Sequence, residues 1–115
     1  MVALPIKKSA GEIFVILVTV ANQEEAVRIG EGVVKAKLAA CANVVPGIRS
    51  IYRWKGKVVN SQEFLLILKS SKARYSELEK AIKAMHTYET PEIIALPVKK
   101  GLDRYLRWVQ TETSR

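Results

Sequence analysis

The sequence predicts a single α+β domain whose strands and helices follow the order βαββαβ. Residues 12–20 and 63–69 are runs of β-branched and other apolar side chains, which are typical of buried strands. Residues 26–40 and 75–85 repeat apolar side chains every three or four positions, which indicates amphipathic helices. A chain of 115 residues, 49% of them hydrophobic, is long enough to form one such domain with a real core.

The first strand and helix are marked by composition and by capping residues. Residues 12–20 (EIFVILVTV) are apolar almost throughout, so we expect this strand to be buried on both faces and central in its sheet. Asn22 is the expected N-cap of the helix, with Glu25 three residues later in the position of a capping box. Gly30 and Gly32 weaken the helix, and a close approach of helix and sheet explains them most simply.

A long hairpin follows, and it consists of a strand at residues 42–54, a turn at Lys55-Gly56, and returning segments at residues 57–59 and 63–69. The strand at residues 42–54 bends at Pro46-Gly47, because proline has no amide hydrogen to donate and therefore belongs at an edge or a bulge. Asn60-Ser61 predicts a bulge or a break in the returning strand. The hairpin is longer than a small sheet needs, so we expect its overhang to pair with another molecule.

The remaining elements are a helix, an edge strand and a short terminal helix. Ser71 is the expected cap of the helix, which ends before Pro91. Residues 92–98 form a fourth strand, and Pro97 places that strand at an edge of the sheet. Residues 102–109 predict a short amphipathic helix, whereas the last five residues, TETSR, carry no structural signal.

This order of elements gives a ferredoxin-like sandwich with a four-stranded antiparallel sheet and both helices on one face. The other face of the sheet is left bare, and only the short C-terminal helix is available to cover it. An oligomer hides such a face most simply, with sheet faces packed in a ring and hairpin edges paired between subunits. We therefore expect an oligomer.

The composition limits the partners and the compartment. The net charge is +8, but the basic residues are scattered in runs no longer than two, which argues against nucleic acid as the partner. No apolar run reaches the roughly 18 residues that a membrane helix needs. A single cysteine excludes an internal disulfide and favours a reducing compartment, so we expect a cytoplasmic protein. Residues 1–11 are expected to form a loose tail rather than a signal peptide.

Four segments of the chain resemble the CutA divalent-cation-tolerance family in order and spacing. They are LAACANVVPGIRSIYRWKGKV, EFLLILKS, HTYETPEIIALPV and YLRWV. The match extends over residues 14–109. The resemblance implies a ferredoxin-like subunit, a tight homotrimer built through the long hairpin, a cytosolic location in bacteria, and a connection to copper and other divalent cations. The family's recurrent polar and aromatic positions, mostly near clefts between subunits, correspond here to Cys41, Arg53, Trp54, Glu63, Lys69, His86, Tyr88, Glu89 and Glu92.

Two departures from the family concern the metal ligands. Members linked to copper can carry a thiol late in the first strand and a His-His pair after the second helix, where this chain has Val18 and Met85-His86. Thr87 stands where the family usually has proline. The ligand set for copper is therefore incomplete in this chain, and the positive net charge works against accumulation of cations.

Cys41 and His86 are the candidate metal ligands, because a thiol and an imidazole suit Cu(I). Each has a simpler interpretation. A lone cysteine between alanines at the start of a strand is usually a small buried hydrophobe, and a histidine at a helix end is often a cap. Met85 continues an apolar stripe and belongs to the core. Since one cysteine and one histidine fall short of a four-ligand site, a metal site needs ligands shared between subunits.

A second candidate site is a cleft for a small anion or metabolite around the turn at Pro91. Its candidate residues are mixed in charge and comprise Arg53, Glu63, Lys69, Tyr88, Glu89 and Glu92. Loop packing around a hydrogen-bonded tyrosine, or a network of ion pairs, accounts for the same residues equally well. On the hairpin, Ile51, Tyr52 and Trp54 are expected at the trimer interface, because aromatic residues beside arginines are typical of interfaces.

No enzyme signature is present, since the chain has one histidine and lacks a Gly-rich phosphate loop, HExxH and GxSxG. We therefore expect neither catalysis nor an organic cofactor. Three functions remain: a trimeric metal-tolerance protein with copper as the first candidate, a PII-like module that senses a small anion or metabolite, and a trimeric scaffold without a ligand. The PII-like alternative depends on an analogy of fold, and fold does not determine function.

Overall fold

The computed structural model describes residues 11–115, so the tail predicted for residues 1–11 lies outside the described residues except for Gly11. The elements are β1 (Ile13–Val20), α1 (Gln23–Lys35), β2 (Cys41–Trp54), β3 (Lys57–Ser71), a 3₁₀ turn (Lys72–Arg74), α2 (Tyr75–Met85), β4 (Ile93–Pro97) and α3 (Asp103–Glu112). Neighbouring strands are antiparallel and lie in the order β2-β3-β1-β4. This arrangement confirms the ferredoxin-like α+β fold, with β1 inside the sheet and β4 at an edge.

The core lies between the two long helices and one face of the sheet, which we call the covered face. Side chains alternate between the faces of a strand, so every second residue of β1 and β3 points into this core. The fully buried members are Ile16, Val18, Val20, Ala26, Ile29, Val33, Leu66, Leu68, Leu78 and Ile82. The helical members of this set are the periodic apolar positions of the sequence, as predicted. The expectation that β1 is buried on both faces is wrong, because Val15 and Leu17 on its other face are only partly buried.

The start of α1 has the predicted cap. The Glu25 amide donates to Asn22 Oδ1 at 2.8 Å, and Glu25 Oε1 accepts from the Ala21 amide at 3.4 Å, one residue before the cap. A Cβ atom added to Gly30 would lie 3.1 Å from the Cβ of Ala42. Such a distance is shorter than ordinary van der Waals contact, so the close approach of helix and sheet predicted from this glycine is confirmed.

The β2–β3 hairpin is the longest feature of the subunit. Lys55 and Gly56 have φ angles of 51° and 78°. Left-handed conformations at both central positions are typical of a type I′ turn, which fits the right-handed twist of paired strands. The hairpin extends the Cα trace to 58 Å along its longest axis, against 25 and 22 Å along the other two.

The predicted bulge at Asn60-Ser61 is wrong, because the irregularity lies in the other strand. The register of the hairpin shifts between Val45 and Ile48, around Pro46-Gly47, and β3 continues without a break. Asn60 is exposed, and its Oδ1 accepts a hydrogen bond from Arg49 Nη1 at 3.0 Å. The polar residues Asn60 and Ser61 therefore indicate that this part of β3 faces solvent, not that the strand ends there.

Two further predictions are corrected at the C-terminal end. Ser71 does not cap a helix with its side chain, because the 3₁₀ turn separates it from α2. Instead, the Ser71 hydroxyl accepts a hydrogen bond from Thr113 Oγ1 at 3.1 Å, and Thr113 is buried. The last five residues therefore carry structural information after all, because Thr113 fastens the chain end to β3.

The second face of the sheet, which we call the open face, is largely uncovered in the subunit. It is formed by cross-strand neighbours on the side opposite the core, namely Val15, Leu17, Leu65, Ile67, Ile94 and Leu96. Ile94 and Leu96 are 48% and 50% exposed. The helix α3 covers only one end, where Val109 and Leu106 pack against Ile13. The bare face expected from the order of elements is therefore present.

Candidate functional site

A cleft of about 740 Å³, which we call the acidic cleft, contains several of the predicted site residues. It lies where the hairpin leaves the sheet, between β2 and the loop that follows α2. Its lining carries three carboxylates, three aromatic rings and a few small side chains, namely Glu63, Glu89, Glu92, Tyr52, Trp54, Tyr88, Thr19, Ser50, Ile51, Thr90 and Pro91. A volume of this size is within the range of small-molecule sites.

Strand geometry decides which hairpin residues reach the cleft. Ser50, Tyr52 and Trp54 alternate along β2 and therefore share one face of the hairpin. The register places Ser50 opposite Ser61, two residues before Glu63 on the paired strand, so Glu63 lies on the same face. Alternation and register thus place the rings of Tyr52 and Trp54 on the same face of the hairpin as the Glu63 carboxylate.

Tyr88 and Glu63 form the inner contact of the cleft. Glu63 is only 5% exposed, and its Oε2 accepts a hydrogen bond from the Tyr88 hydroxyl. Burial first, and then the hydrogen bond to Glu63, raise the pKa of Tyr88 well above its usual value. The phenol therefore remains protonated at neutral pH and acts as a donor.

Behind the cleft, His86 belongs to a buried network that ties the two long helices to β1. Its Nε2 lies 2.8 Å from the carbonyl oxygen of Thr19, and its Nδ1 accepts from the Tyr88 amide at 3.0 Å. A carbonyl oxygen only accepts, so Nε2 is the donor to Thr19, and Nδ1 is the acceptor for the Tyr88 amide. Glu25 Oε2 lies 3.3 Å from Nδ1 and accepts from the Thr87 amide at 2.9 Å.

Cys41 lies elsewhere, at the end of the open face covered by α3. Its Sγ is 3.5 Å from the Tyr105 hydroxyl, which is hydrogen-bond contact for sulfur. This contact first, and then burial, raise the pKa of Tyr105 to about 12. The positions of Cys41 and His86 can be compared along β1. Cys41 is paired with Lys69 of β3, and Lys69 is paired with Val15 of β1. His86 contacts Thr19, which is four residues further along β1. Four residues along β1 correspond to about 13 Å, so one subunit does not bring Cys41 and His86 together.

The described residues of one subunit do not fit a metal site, copper included. Among residues 11–115, no three His, Cys, Asp or Glu side chains come close enough together to hold an ion. Both ring nitrogens of His86 already have partners, and a metal would have to displace one of them. Met85 packs against the core, as predicted.

Two of the predicted cleft residues lie outside the cleft. Lys69 is six residues from Glu63 on the same strand, about 20 Å away, and its Nζ donates to Asn43 Oδ1. Arg53 lies between Tyr52 and Trp54, so the alternation of the strand turns it to the opposite face. The cleft expected to be mixed in charge is therefore lined by carboxylates without either basic residue.

The predicted interface residues lie on the exposed hairpin, where Ile51, Tyr52 and Trp54 are 64%, 43% and 48% exposed. All three also line the acidic cleft, which the sequence reasoning missed. The alternation of Tyr52 and Trp54 around Arg53 in the sequence could have indicated that the two aromatic rings share one face of the hairpin. Nothing in the sequence indicated the partners Glu25 and Tyr105, because they come from elements distant in the chain.

A sequence model of the CutA1 divalent ion tolerance protein family matches residues 14–112 of this chain. The chain belongs to this family. A divalent-cation tolerance protein CutA of Thermus thermophilus is 46% identical over 99 residues, which are 86% of this chain and 96% of that protein. The protein CutA of Arabidopsis thaliana, named as chloroplastic, is 44% identical over 86% of this chain and 54% of its own length.

Solved structures of the family have the same fold. CutA1 from Oryza sativa superposes with a TM-score of 0.87 at 43% identity, over 90% of this chain and 95% of that one. A CutA from Archaeoglobus fulgidus, described as periplasmic, gives 0.86 at 37% identity over 89% and 99% of the two chains. The names of these relatives thus describe tolerance of ions rather than a reaction. They also name more than one compartment. Within residues 11–115, no helix has the length and apolar character needed to span a bilayer.

Proposed function

We propose that this chain is the subunit of a homotrimeric, cytoplasmic, non-catalytic protein of the divalent-cation tolerance type, which holds a small ligand in clefts between its subunits. The observation that carries the proposal is the open face beside the acidic cleft. Monomeric proteins rarely expose a continuous apolar sheet face, and here residues such as Ile94 and Leu96 remain half exposed. A closed ring of subunits would bury this face.

The hairpin supports the same assembly. Its strand β2 is an edge strand whose outer side has no partner strand within residues 11–115. Ile51 and Val58 near the turn are 64% and 65% exposed, and Tyr52 and Trp54 accompany them. A long edge with exposed apolar residues favours pairing with another subunit. A neighbouring subunit on this edge would lie against the wall of the acidic cleft.

A metal ion is the second candidate ligand, because the family description names divalent ions. The half-buried thiol of Cys41 would be the soft ligand, and His86 the imidazole. Since the two lie far apart in one subunit, such a site would have to combine residues of different subunits. The single cysteine also supports a reducing, cytoplasmic compartment.

The assembly is tested by light scattering coupled to size exclusion at several protein concentrations, with three subunit masses as the expected result. A monomer at all concentrations would contradict the proposal as a whole. Copper is tested by titration calorimetry of the wild type, Cys41→Ser and His86→Asn. Loss of copper affinity in either variant, with the trimer intact, would support the metal site. Unchanged affinity would exclude these ligands, and a trimer that binds nothing would indicate a scaffold.

A further inference from the structure

The outer part of the hairpin, residues 48–62, carries positive charge alone, and we call it the basic arm. Its charged side chains are Arg49, Arg53, Lys55 and Lys57, and this stretch contains no aspartate or glutamate. All four side chains are exposed, and none of the ion pairs formed within residues 11–115 includes them. Their four charges equal half of the net charge of +8, so the arm presents an unusually positive surface.

Strand geometry gives the basic arm two different faces. Tyr52 and Trp54 line the acidic cleft of their own subunit. Arg49 and Arg53 alternate with these rings and therefore share the opposite face, about 13 Å apart. Arg53 is paired with Val58, which is 65% exposed, so the arginine face also has apolar surface near the turn. This face points away from the cleft of its own subunit.

The acidic cleft carries the complementary charge. Its lining includes Glu63, Glu89 and Glu92 and, within the described part of the chain, no lysine or arginine. Glu89 and Glu92 are exposed, and the ion pairs of residues 11–115 do not include them. The Tyr88 hydroxyl satisfies one oxygen of Glu63 but adds no positive charge. Complementary charges that have no partners inside the subunit favour contact between two copies.

The aromatic rings of the cleft suit an arginine in particular. Tyr52 and Trp54 are 43% and 48% exposed, so another chain can reach their rings. A guanidinium group stacks on such rings and also donates two parallel hydrogen bonds to one carboxylate. Arg53 is better placed for this contact than Arg49, because Arg49 Nη1 already donates to Asn60 Oδ1 of its own hairpin at 3.0 Å.

The arginine face and the acidic cleft lie on opposite sides of one arm, so each copy can give one arm and receive another. Such a head-to-tail contact forms a ring if the rotation between copies closes. We infer that the basic arm of one copy docks in the acidic cleft of the next, where Arg53 of the partner subunit pairs with the carboxylates. This inference rests on the proposed function, because it requires the homotrimer, and it identifies a residue that each cleft receives from a neighbour.

The test reverses the charges singly and together in the full-length protein. Arg53→Glu places a carboxylate against the acidic cleft in every contact, and should raise the concentration at which the trimer half dissociates about tenfold or more. Glu92→Arg should have a similar effect, because two arginines then meet. Analytical ultracentrifugation of a dilution series, at low and at high salt, measures these shifts, and high salt should reduce them.

Rescue by the double reversal distinguishes a direct contact from a general effect of charge. Arg53→Glu combined with Glu92→Arg restores opposite charges in every contact, so dissociation should return to within about threefold of the wild type. The same combination is made with Glu89→Arg, because both carboxylates line the cleft. Rescue by either combination supports the inference.

The matched control is Arg104→Glu, which changes the net charge equally at an exposed position of α3 and should leave dissociation unchanged. Thermal unfolding of every variant separates lost assembly from lost folding. A trimer that tolerates Arg53→Glu, or a loss that neither combination restores, would overturn the inference and leave the proposed trimer in place. A wild type that is monomeric at every concentration would remove the inference and the proposed function together.

Discussion

The two faces of the sheet carry similar apolar residues in opposite surroundings. On the covered face, Ile16 and Leu66 are fully buried under the helices, whereas on the open face Ile94 and Leu96 are about half exposed at 48% and 50%. An antiparallel sheet with one wet face normally alternates apolar and polar residues. A second apolar face therefore indicates a surface that the fold prepares for burial by something outside the subunit.

The open face is not uniform from end to end. At one end, α3 seals it with Val109 and Leu106 packed on Ile13. At the other end, it gives way to the acidic cleft, where Thr19 and Glu63 continue the same side of the sheet as polar residues. The apolar middle is thus suited to assembly and the polar end to a ligand. The following predictions test this division, from the largest expected effect to the smallest.

A charge on the open face should abolish the assembly. Leu96→Lys places an ammonium at a position that is half exposed in the subunit, so folding should survive. In the proposed trimer the same group would be buried without a partner, which costs several kcal/mol for each subunit. Light scattering should show a fall from three subunit masses to one.

The matched control is Val27→Lys, the same kind of change on the outer surface of α1, where Val27 is 38% exposed. This variant should remain trimeric. A trimeric Leu96→Lys variant with an unchanged unfolding transition would show that the open face is not the interface.

Neighbouring leucines of β3 allow the two faces to be compared within one strand. Leu66→Ala removes a fully buried side chain from the covered face and should lower the free energy of unfolding by about 2–5 kcal/mol. Leu65→Ala removes the same atoms from the half-buried open face. Its cost should be smaller at low protein concentration and should rise with concentration, as the proposed trimer forms. Urea unfolding at two concentrations measures both, and equal, concentration-independent costs would contradict the comparison.

The covered face could be predicted from local patterns in the sequence. Periodicity placed Ile29 and Ile82 in the core, and continuous apolar runs predicted the strands that contain Ile16 and Leu66. The cleft was predicted only in part: Glu63, Tyr88, Glu89 and Glu92 line it as expected, but their contacts could not be predicted. The contact between Tyr88 and Glu63 joins residues 25 positions apart, and it depends on the length and twist of the hairpin. The bend predicted at Pro46-Gly47 is the place where the register shifts, whereas β3 continues unbroken through Asn60-Ser61, where a bulge or a break was predicted.

The buried network behind the cleft should contribute less than the core but more than a surface contact. Glu25→Ala leaves the Thr87 amide without its acceptor beside the buried His86, which should cost about 1–3 kcal/mol in the free energy of unfolding. Glu24→Ala is the matched control, since Glu24 is an exposed carboxylate in the same first turn and should cost about 0.3–1 kcal/mol. Chemical denaturation measures both, and equal losses would show that the network adds nothing beyond the helix terminus.

The smallest effect is expected at the opposite end of the open face, where Tyr105 contacts Cys41. The pKa of Tyr105 is raised to about 12, first by the contact with the cysteine sulfur and then by burial, from about 10 in an unfolded chain. Between these two pH values the folded chain binds more protons at this site than the unfolded chain. Stability contributed by the contact is therefore complete below about pH 10 and decreases as the pH rises towards about 12.

Tyr105→Phe should reduce this alkaline loss without removing it, because the pKa of Tyr88 is also raised. Ultraviolet difference titration of the wild type against Tyr105→Phe isolates the single phenol. In a Cys41→Ala background, the titration of Tyr105 should return towards its ordinary range, since the sulfur contact is the first cause of the shift. A phenol that titrates normally in the wild type would mean that α3 does not hold Tyr105 against β2, and the sealed end of the open face would then resemble its exposed middle.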